Sequence, residues 1–242
     1  MDLAVLTRDE VEPYAPVLAA IGLEVIAMPV THSAPPVDRG ALPRALTAGG
    51  YVAIVVASPR AVTELAHARD EALVSLPEVW AVGPSTKRAL DIARIKSVHP
   101  SDVTNGAELA ERLVATRSLA GKRVLVPRAE EGRDDAIRIL RAAGAEVDDV
   151  IAYRTVPTRL DDPRLARGRE LLAGGGAKVC AVFAPSQVGA LDIVVGPLTG
   201  LSCRFAAIGA TTAGALRARG VSGPIAVAPT PTPEGLAAAL RE

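Results

Sequence analysis

Val52-Ala-Ile-Val-Val-Ala-Ser-Pro59 decides the fold, because it reads as a buried strand running into a helix and because it occurs twice. Its second copy is Val179-Cys-Ala-Val-Phe-Ala-Pro185. A continuous apolar run without alternation suits a strand covered on both faces. The proline that ends each run suits the first helical position, where its missing N–H costs nothing. Strand followed at once by helix is the repeating unit of an open parallel α/β sheet.

Working outward, Val79-Trp-Ala-Val-Gly-Pro-Ser-Thr86 returns as Phe205-Ala-Ala-Ile-Gly-Ala-Thr-Thr212, and Pro59 to Pro185, Gly83 to Gly209 and Thr86 to Thr212 share one offset of 126 residues. A second set of matches pairs Val5-Leu-Thr-Arg8 with Val124-Leu-Val-Pro-Arg128, and Ile21-Gly-Leu-Glu-Val25 with Ala143-Gly-Ala-Glu-Val147. A period this long is a duplication of whole domains, since solenoid units run about 20 to 50 residues. Strands are expected at 3–7, 24–28, 52–57, 79–82, 97–99, 123–127, 148–153, 179–184, 205–208 and 225–228. Helical apolar spacing covers 12–21, 60–68, 85–93, 108–116, 133–143, 187–194, 211–219 and 234–241. Gly22, Gly144 and Gly220 stand where helix C-terminal glycines belong.

Proline and small polar residues interrupt this rhythm at 29–43 and 155–163, which read as linkers. Two interruptions cut the chain into three pieces, so two domains require one of them to be discontinuous. The pattern alone does not say whether the first piece joins the second or the third.

The 242 residues carry 27 basic and 27 acidic side chains, so no global field draws the chain to nucleic acid or to an anionic membrane. Aromatics are only 2%, too few for base- or sugar-stacking platforms, and the core must be aliphatic. Cys180 and Cys203 lack CxxC spacing and read as buried free thiols. His32, His67 and His99 lack ligand spacing, and no metal site is expected. Phosphate-loop, dinucleotide and nucleophile-elbow motifs are missing. No apolar run approaches about 18 residues, and no basic leader opens the chain, so a soluble, cytoplasmic protein with no membrane or nucleic-acid partner is expected. Zero net charge is compatible with a monomer.

Turns such as Ser58-Pro-Arg60, Gly83-Pro-Ser-Thr86, Thr104-Asn-Gly106, Arg128 to Arg133, Ala184-Pro-Ser186 and Gly209-Ala-Thr-Thr212 follow strands and open helices. Unpaired N–H groups and the positive ends of helix dipoles meet there, at the strand ends where open parallel sheets bind ligands. Hydroxyls, amides and arginines of this kind suit a ligand with several carboxylates.

In order along the chain, Thr7-Arg8, Ala-Ser-Pro-Arg-Ala-Val (57–62), Val-Gly-Pro-Ser-Thr (82–86), Lys-Arg-Val-Leu-Val-Pro-Arg (122–128), Ala-Tyr-Arg-Thr-Val-Pro (152–157), Ala-Ala-Ile-Gly-Ala-Thr-Thr-Ala (206–213) and Pro-Thr-Pro-Glu-Gly-Leu (231–236) form a constellation that resembles the uroporphyrinogen-III synthase family. The resemblance implies two flavodoxin-like α/β domains with parallel sheets, joined by a two-stranded linker. One domain is then discontinuous, 1–32 with 157–242, the other is 36–152, and 33–35 and 153–156 are the linkers. It implies a hydro-lyase without cofactor that cyclises linear hydroxymethylbilane in an interdomain cleft to uroporphyrinogen III, inverting ring D and losing water. It also leaves room for transient contact with the upstream deaminase.

Carried over by motif, Tyr153 falls on the linker tyrosine that assists departure of the hydroxyl group, with linker packing as its other reading. Ser58, Gly83 and Thr86 match cleft-facing positions of one domain, and Ser186, Gly209, Thr211 and Thr212 those of the other. Arg8, Arg60, Arg128 and Arg154 are candidate counter-charges, ranked below these hydroxyls. The family often writes Thr-Ser-Pro in both copies, whereas this chain has Ala57-Ser-Pro59 and Ala184-Pro-Ser186. The alternative function is a non-catalytic tetrapyrrole or small-anion sensor on the same scaffold.

Overall fold

The computed structural model describes residues 1–241. The chain divides into two compact units, one made of Met1–His32 with everything described from Val156 onward, the other of Ser33–Thr155. The first unit opens with β1 (Asp2–Leu6), α1 (Ala15–Ala19) and β2 (Leu23–Ala27), and the chain crosses through β3 (Thr31–Ala34). The second unit continues with α2 (Ala41–Ala48), β4 (Tyr51–Val56), α3 (Pro59–Ala72), β5 (Glu78–Ala81), α4 (Gly83–Ile92) and β6 (Ser97–Val98). It then adds α5 (Gly106–Thr116), β7 (Arg123–Ala129) and α6 (Asp135–Ala142), and the chain returns along β8 (Glu146–Pro157). The first unit is completed by α7 (Pro163–Ala173), β9 (Val179–Val182), α8 (Pro185–Val195), β10 (Arg204–Ala207), α9 (Ala210–Ala218), β11 (Ile225–Val227) and α10 (Pro233–Arg241).

Sheet order in the first unit is β11-β10-β9-β1-β2, with parallel pairing throughout the described residues. Counted along the unit, this is the doubly wound order 2-1-3-4-5 of flavodoxin-like sheets. The second sheet runs β3-β8-β7-β4-β5-β6. Its strands β8-β7-β4-β5-β6 take the same spatial order once β7 and β8 are counted first. The units are therefore one sheet design in two chain orders, which is why the sequence repeat needs more than one offset.

Strand registers fix the equivalences. Ala4 stands opposite Val179 and Val25, and Val124 stands opposite Ala53 and Val147. Glu24 and Glu146, and Gly22 and Gly144, then correspond as the sequence matches have them, and both glycines close their helices with positive φ, 83° and 82°. The first strands differ from the sequence match by one residue: Ala4, not Val5, corresponds to Val124. Arg8 consequently corresponds to Arg128.

Each sheet is covered on both faces by aliphatic side chains. In the first unit Leu165, Leu191 and Leu216 pack on one face and Leu6, Leu18 and Leu236 on the other. In the second, Leu65 and Leu90 face Leu109, Leu113 and Leu140 across the sheet. Each fully buried leucine contributes about 1.5–3 kcal/mol, so aliphatic side chains carry most of this core, and Tyr14, Tyr51, Trp80, Tyr153 and Phe205 are buried among them.

The expected linkers contain more structure than their composition suggested. β3 is a half-exposed edge strand of polar and small residues, Thr31-His-Ser-Ala34, with no apolar run to announce it. Helix α2 spans Pro43, which is tolerated because the third helical position has no intrahelical N–H partner to lose. Pro163 begins α7, capped by Asp162, whose carboxylate accepts the Arg164 N–H at 2.9 Å.

Candidate functional site

In the second unit β4 and β7 are the adjacent strands whose chains depart in opposite directions, the point where open α/β sheets receive ligands. A cavity of about 260 Å³ lies there, beyond the carboxyl ends of both strands. Ala57 and Ser58 after β4, Arg128 and Ala129 of β7, Asn105 before α5, and Tyr153 of β8 line it.

The cavity is open for a reason visible in the repeat. Ala57 corresponds to Phe183, whose ring stacks edge-on against Tyr14 with centroids 5.0 Å apart. The Arg8 guanidinium lies 5.0 Å from both ring centroids. Both units place an arginine here, Arg8 and Arg128, but one adds a phenyl ring whereas the other presents a methyl group and leaves room.

Tyr153 reaches the cavity through a β-bulge. Arg128 pairs with Ile151 but the next residue, Ala129, pairs with Tyr153, so β8 carries one extra residue there. Such a bulge re-aims the side chain that follows it. Tyr153 is 7% exposed, and its hydroxyl lies 3.1 Å from Ser58 Oγ. Ser58 is the N-cap of α3, its Oγ accepting the Ala61 N–H at 3.1 Å.

Arg128 is held by the protein itself. Its Nε and Nη2 donate to Asp149 at 2.6 and 2.9 Å, and Nη1 donates to the carbonyls of Ala129, Glu130 and Gly132 at 3.0, 3.2 and 3.0 Å. The Asp149 carboxylate beside it pushes the guanidinium further up from its ordinary value. Arg128 thus clamps the β7–α6 loop, which forms one wall of the cavity. On another wall Asn105 caps α5, accepting the Glu108 N–H at 3.1 Å, while Glu108 reaches back to the Thr104 N–H at 2.7 Å. That backbone donor and the Thr104 hydroxyl hold the Glu108 carboxyl below the usual range.

The other expected positions distribute as follows. Arg60 is exposed in the first turn of α3, and Gly83 opens α4 with φ 75°. Thr86 and Thr212 are each only 2% exposed and belong to their helices' buried faces. Ser186 and Thr211 are exposed at the starts of α8 and α9, and Gly209 is the N-cap of α9. Arg8 donates to the Tyr14 hydroxyl at 3.2 Å, and its Nε is buried without a partner. Helix α8 has no capping side chain at Ala184. Gln187 in its first turn reaches back instead to the residue before the cap, its Oε1 accepting the Phe183 N–H at 2.8 Å and the Thr7 hydroxyl at 2.7 Å. Sequence reasoning singled out the turn that holds Asn105 without giving that residue a role, and passed over Ala57 and Gln187. Ala57 was readable from the repeat as the small partner of Phe183, whereas Gln187 stands in the first turn of a helix where a glutamine looks ordinary. Among the described residues no three His, Cys, Asp or Glu side chains gather as metal ligands, and no helix is long and apolar enough to cross a membrane.

The family profile described as uroporphyrinogen-III synthase HemD matches residues 12–238, nearly the whole chain. The chain belongs to the uroporphyrinogen-III synthase family. A mutant uroporphyrinogen III synthase from Thermus thermophilus superposes with a TM-score of 0.60 at 21% identity, covering 100% of this chain and 96% of that one. The uroporphyrinogen-III synthetase of Helicobacter pylori gives 0.64 at 18% identity, covering 100% and 97%. These likenesses carry the fold, two α/β units with parallel sheets, and the family profile carries the activity. No curated protein matches. As a member of the uroporphyrinogen-III synthase family, the chain is a lyase of haem biosynthesis that cyclises hydroxymethylbilane to uroporphyrinogen III with inversion of ring D and loss of water.

Proposed function

We propose that the cavity at the β4/β7 switch point receives the ring of hydroxymethylbilane that loses its hydroxyl group, and that Tyr153 donates the proton that leaves with it. The supporting observation is the phenol of Tyr153, brought by the β-bulge to a cavity that Ala57 keeps open. About 260 Å³ falls below the roughly 300–1,000 Å³ of sites that enclose whole drug-sized ligands, so one ring of four enters. An electron-rich pyrrole expels its own hydroxymethyl oxygen once that oxygen is protonated. Water leaves, and the resulting azafulvene is attacked by ring D at its substituted α-carbon, giving a spiro intermediate that fragments and recloses inverted. The protein's task is then to hold the chain so that this closure beats direct closure to the unrearranged isomer.

Substrate carboxylates are assigned to Arg60 and Gly83 of the second unit and to Arg8, Ser186, Gly209 and Thr211 of the first, chiefly through helix N-terminal amides, whereas Thr86 and Thr212 are buried and pack their helices. Arg128 serves the site by shaping its wall. On this reading the enzyme works as a cytoplasmic monomer, without cofactor or metal, and takes its substrate fresh from the upstream deaminase.

The test generates hydroxymethylbilane in situ and separates the oxidised products into type I and type III isomers. The wild-type protein is expected to yield mainly type III. Ala57→Phe, which copies Phe183 into the cavity, is expected to fold and to lose about 100-fold or more in type III formation, as small misplacements of a reacting group do. Binding of tetrapyrroles with type I product alone favours the sensor. An unimpaired Ala57→Phe removes the cavity from the mechanism.

A further inference from the structure

The contact between Ser58 and Tyr153 admits an accounting of protons. Ser58 Oγ spends one lone pair on the Ala61 N–H at 3.1 Å and stands 3.1 Å from the phenol oxygen of Tyr153. Neither hydroxyl has another side-chain or backbone partner among the described residues, and both residues line the cavity. Two hydroxyls carry two protons. One lies between the oxygens, and the other is the only one the pair can offer to a ligand.

We propose that Ser58 is a positioning residue for Tyr153: it donates its proton to the phenol oxygen, so that the phenolic proton is the one that faces the cavity. This rests on Tyr153 acting as the proton donor. When the hydroxymethyl C–O bond breaks, its electron pair leaves with oxygen, which takes the Tyr153 proton and departs as water. The phenolate left behind keeps the Ser58 O–H as its donor and sits beside the N-terminus of the fourteen-residue helix α3, whose dipole favours negative charge. The proton lost by the pyrrole system on ring closure restores the phenol. Ser58 is held for this by its capping bond, with an extended backbone, φ −152° and ψ 148°. The role differs from carboxylate binding in where the proton goes: a serine that gripped a substrate carboxylate would aim its proton at substrate and leave the phenol without a donor.

The experiment measures kcat, KM and isomer ratio for Ser58→Ala, Ser58→Thr, Ser58→Asp, Tyr153→Phe and the Ser58→Ala/Tyr153→Phe double variant. Expected are a fall in kcat of at least tenfold for Ser58→Ala with KM within about twofold, substantial rescue by threonine, and a double variant no slower than Tyr153→Phe alone, since residues acting as a unit are not additive. Ser58→Asp keeps a good helix cap but has no proton to give, so its kcat should fall with that of alanine. A wild-type kcat in Ser58→Asp, a rise in KM alone for Ser58→Ala, or losses that multiply in the double variant would each overturn the positioning role while leaving Tyr153 in place. A wild-type kcat in Tyr153→Phe would overturn the proton-donor reading and this proposal with it, whereas type III product from that variant would leave the family activity standing.

Discussion

At the scale of single residues, environment makes side chains of one type behave differently. The Tyr51 phenol is pushed up to about 12, first by burial and then by its 2.6 Å hydrogen bond to the Asp148 carboxylate. A group whose folded value lies above its unfolded one stabilises fully below the unfolded value, 10.0 here, and loses that contribution as pH climbs to about 12. Urea midpoints should therefore fall across this alkaline window, and Tyr51→Phe should flatten the fall. The two cysteines, 23 positions apart in sequence, also meet in the fold: the Cys180 thiol is pushed well up by its hydrogen bond to Cys203 and by burial, while that same bond holds Cys203 down. A thiol reagent should modify Cys203 in the native protein and reach Cys180 only on unfolding, as peptide mapping would show. The sequence identified both thiols as free, but not as neighbours, because nothing in their spacing encodes pairing between β9 and the start of β10.

At the scale of elements, the loops that shape the cavity are held by side chains. Arg128 holds the β7–α6 loop through three carbonyls and a two-pronged bond to Asp149. A lysine keeps the charge but not the planar fork. Arg128→Lys should cost about 1–3 kcal/mol, the range for charge-assisted bonds lost at a partly buried site, and should speed proteolysis between 129 and 133. Limited digestion followed by mass spectrometry reads both fragments and rate. The elements themselves were largely legible: apolar runs announced the strands, and caps and glycines announced the helix ends. The exceptions, β3, α2 and α7, are those whose signals were weak or contrary, a polar edge strand and two helices carrying proline in the first turn.

At the scale of the whole molecule, one sheet design is used twice, and each unit has a core of its own. A protein with two separate cores need not unfold in a single step. Leu109→Ala, at a fully buried position in the second unit, should cost about 2–5 kcal/mol there and lower the transition of that unit alone. Scanning calorimetry checks this, and Leu165→Ala should do the converse in the first unit.

The sequence by itself determined the class of fold, the duplication, the mainly aliphatic character of the core and, through the order of its motifs, the resemblance to the uroporphyrinogen-III synthase family. These depend on local pattern, and local pattern is written in neighbouring residues. Only the tertiary structure decided that the units share one strand order in two chain orders, that Ala4 rather than Val5 corresponds to Val124, and that the cavity opens where Ala57 replaces a phenyl ring. It alone brought Ser58 to Tyr153, 95 positions away along the chain. Such contacts arise from strand register and from one extra residue in β8, and register is set by packing across the sheet rather than by the residues on either side.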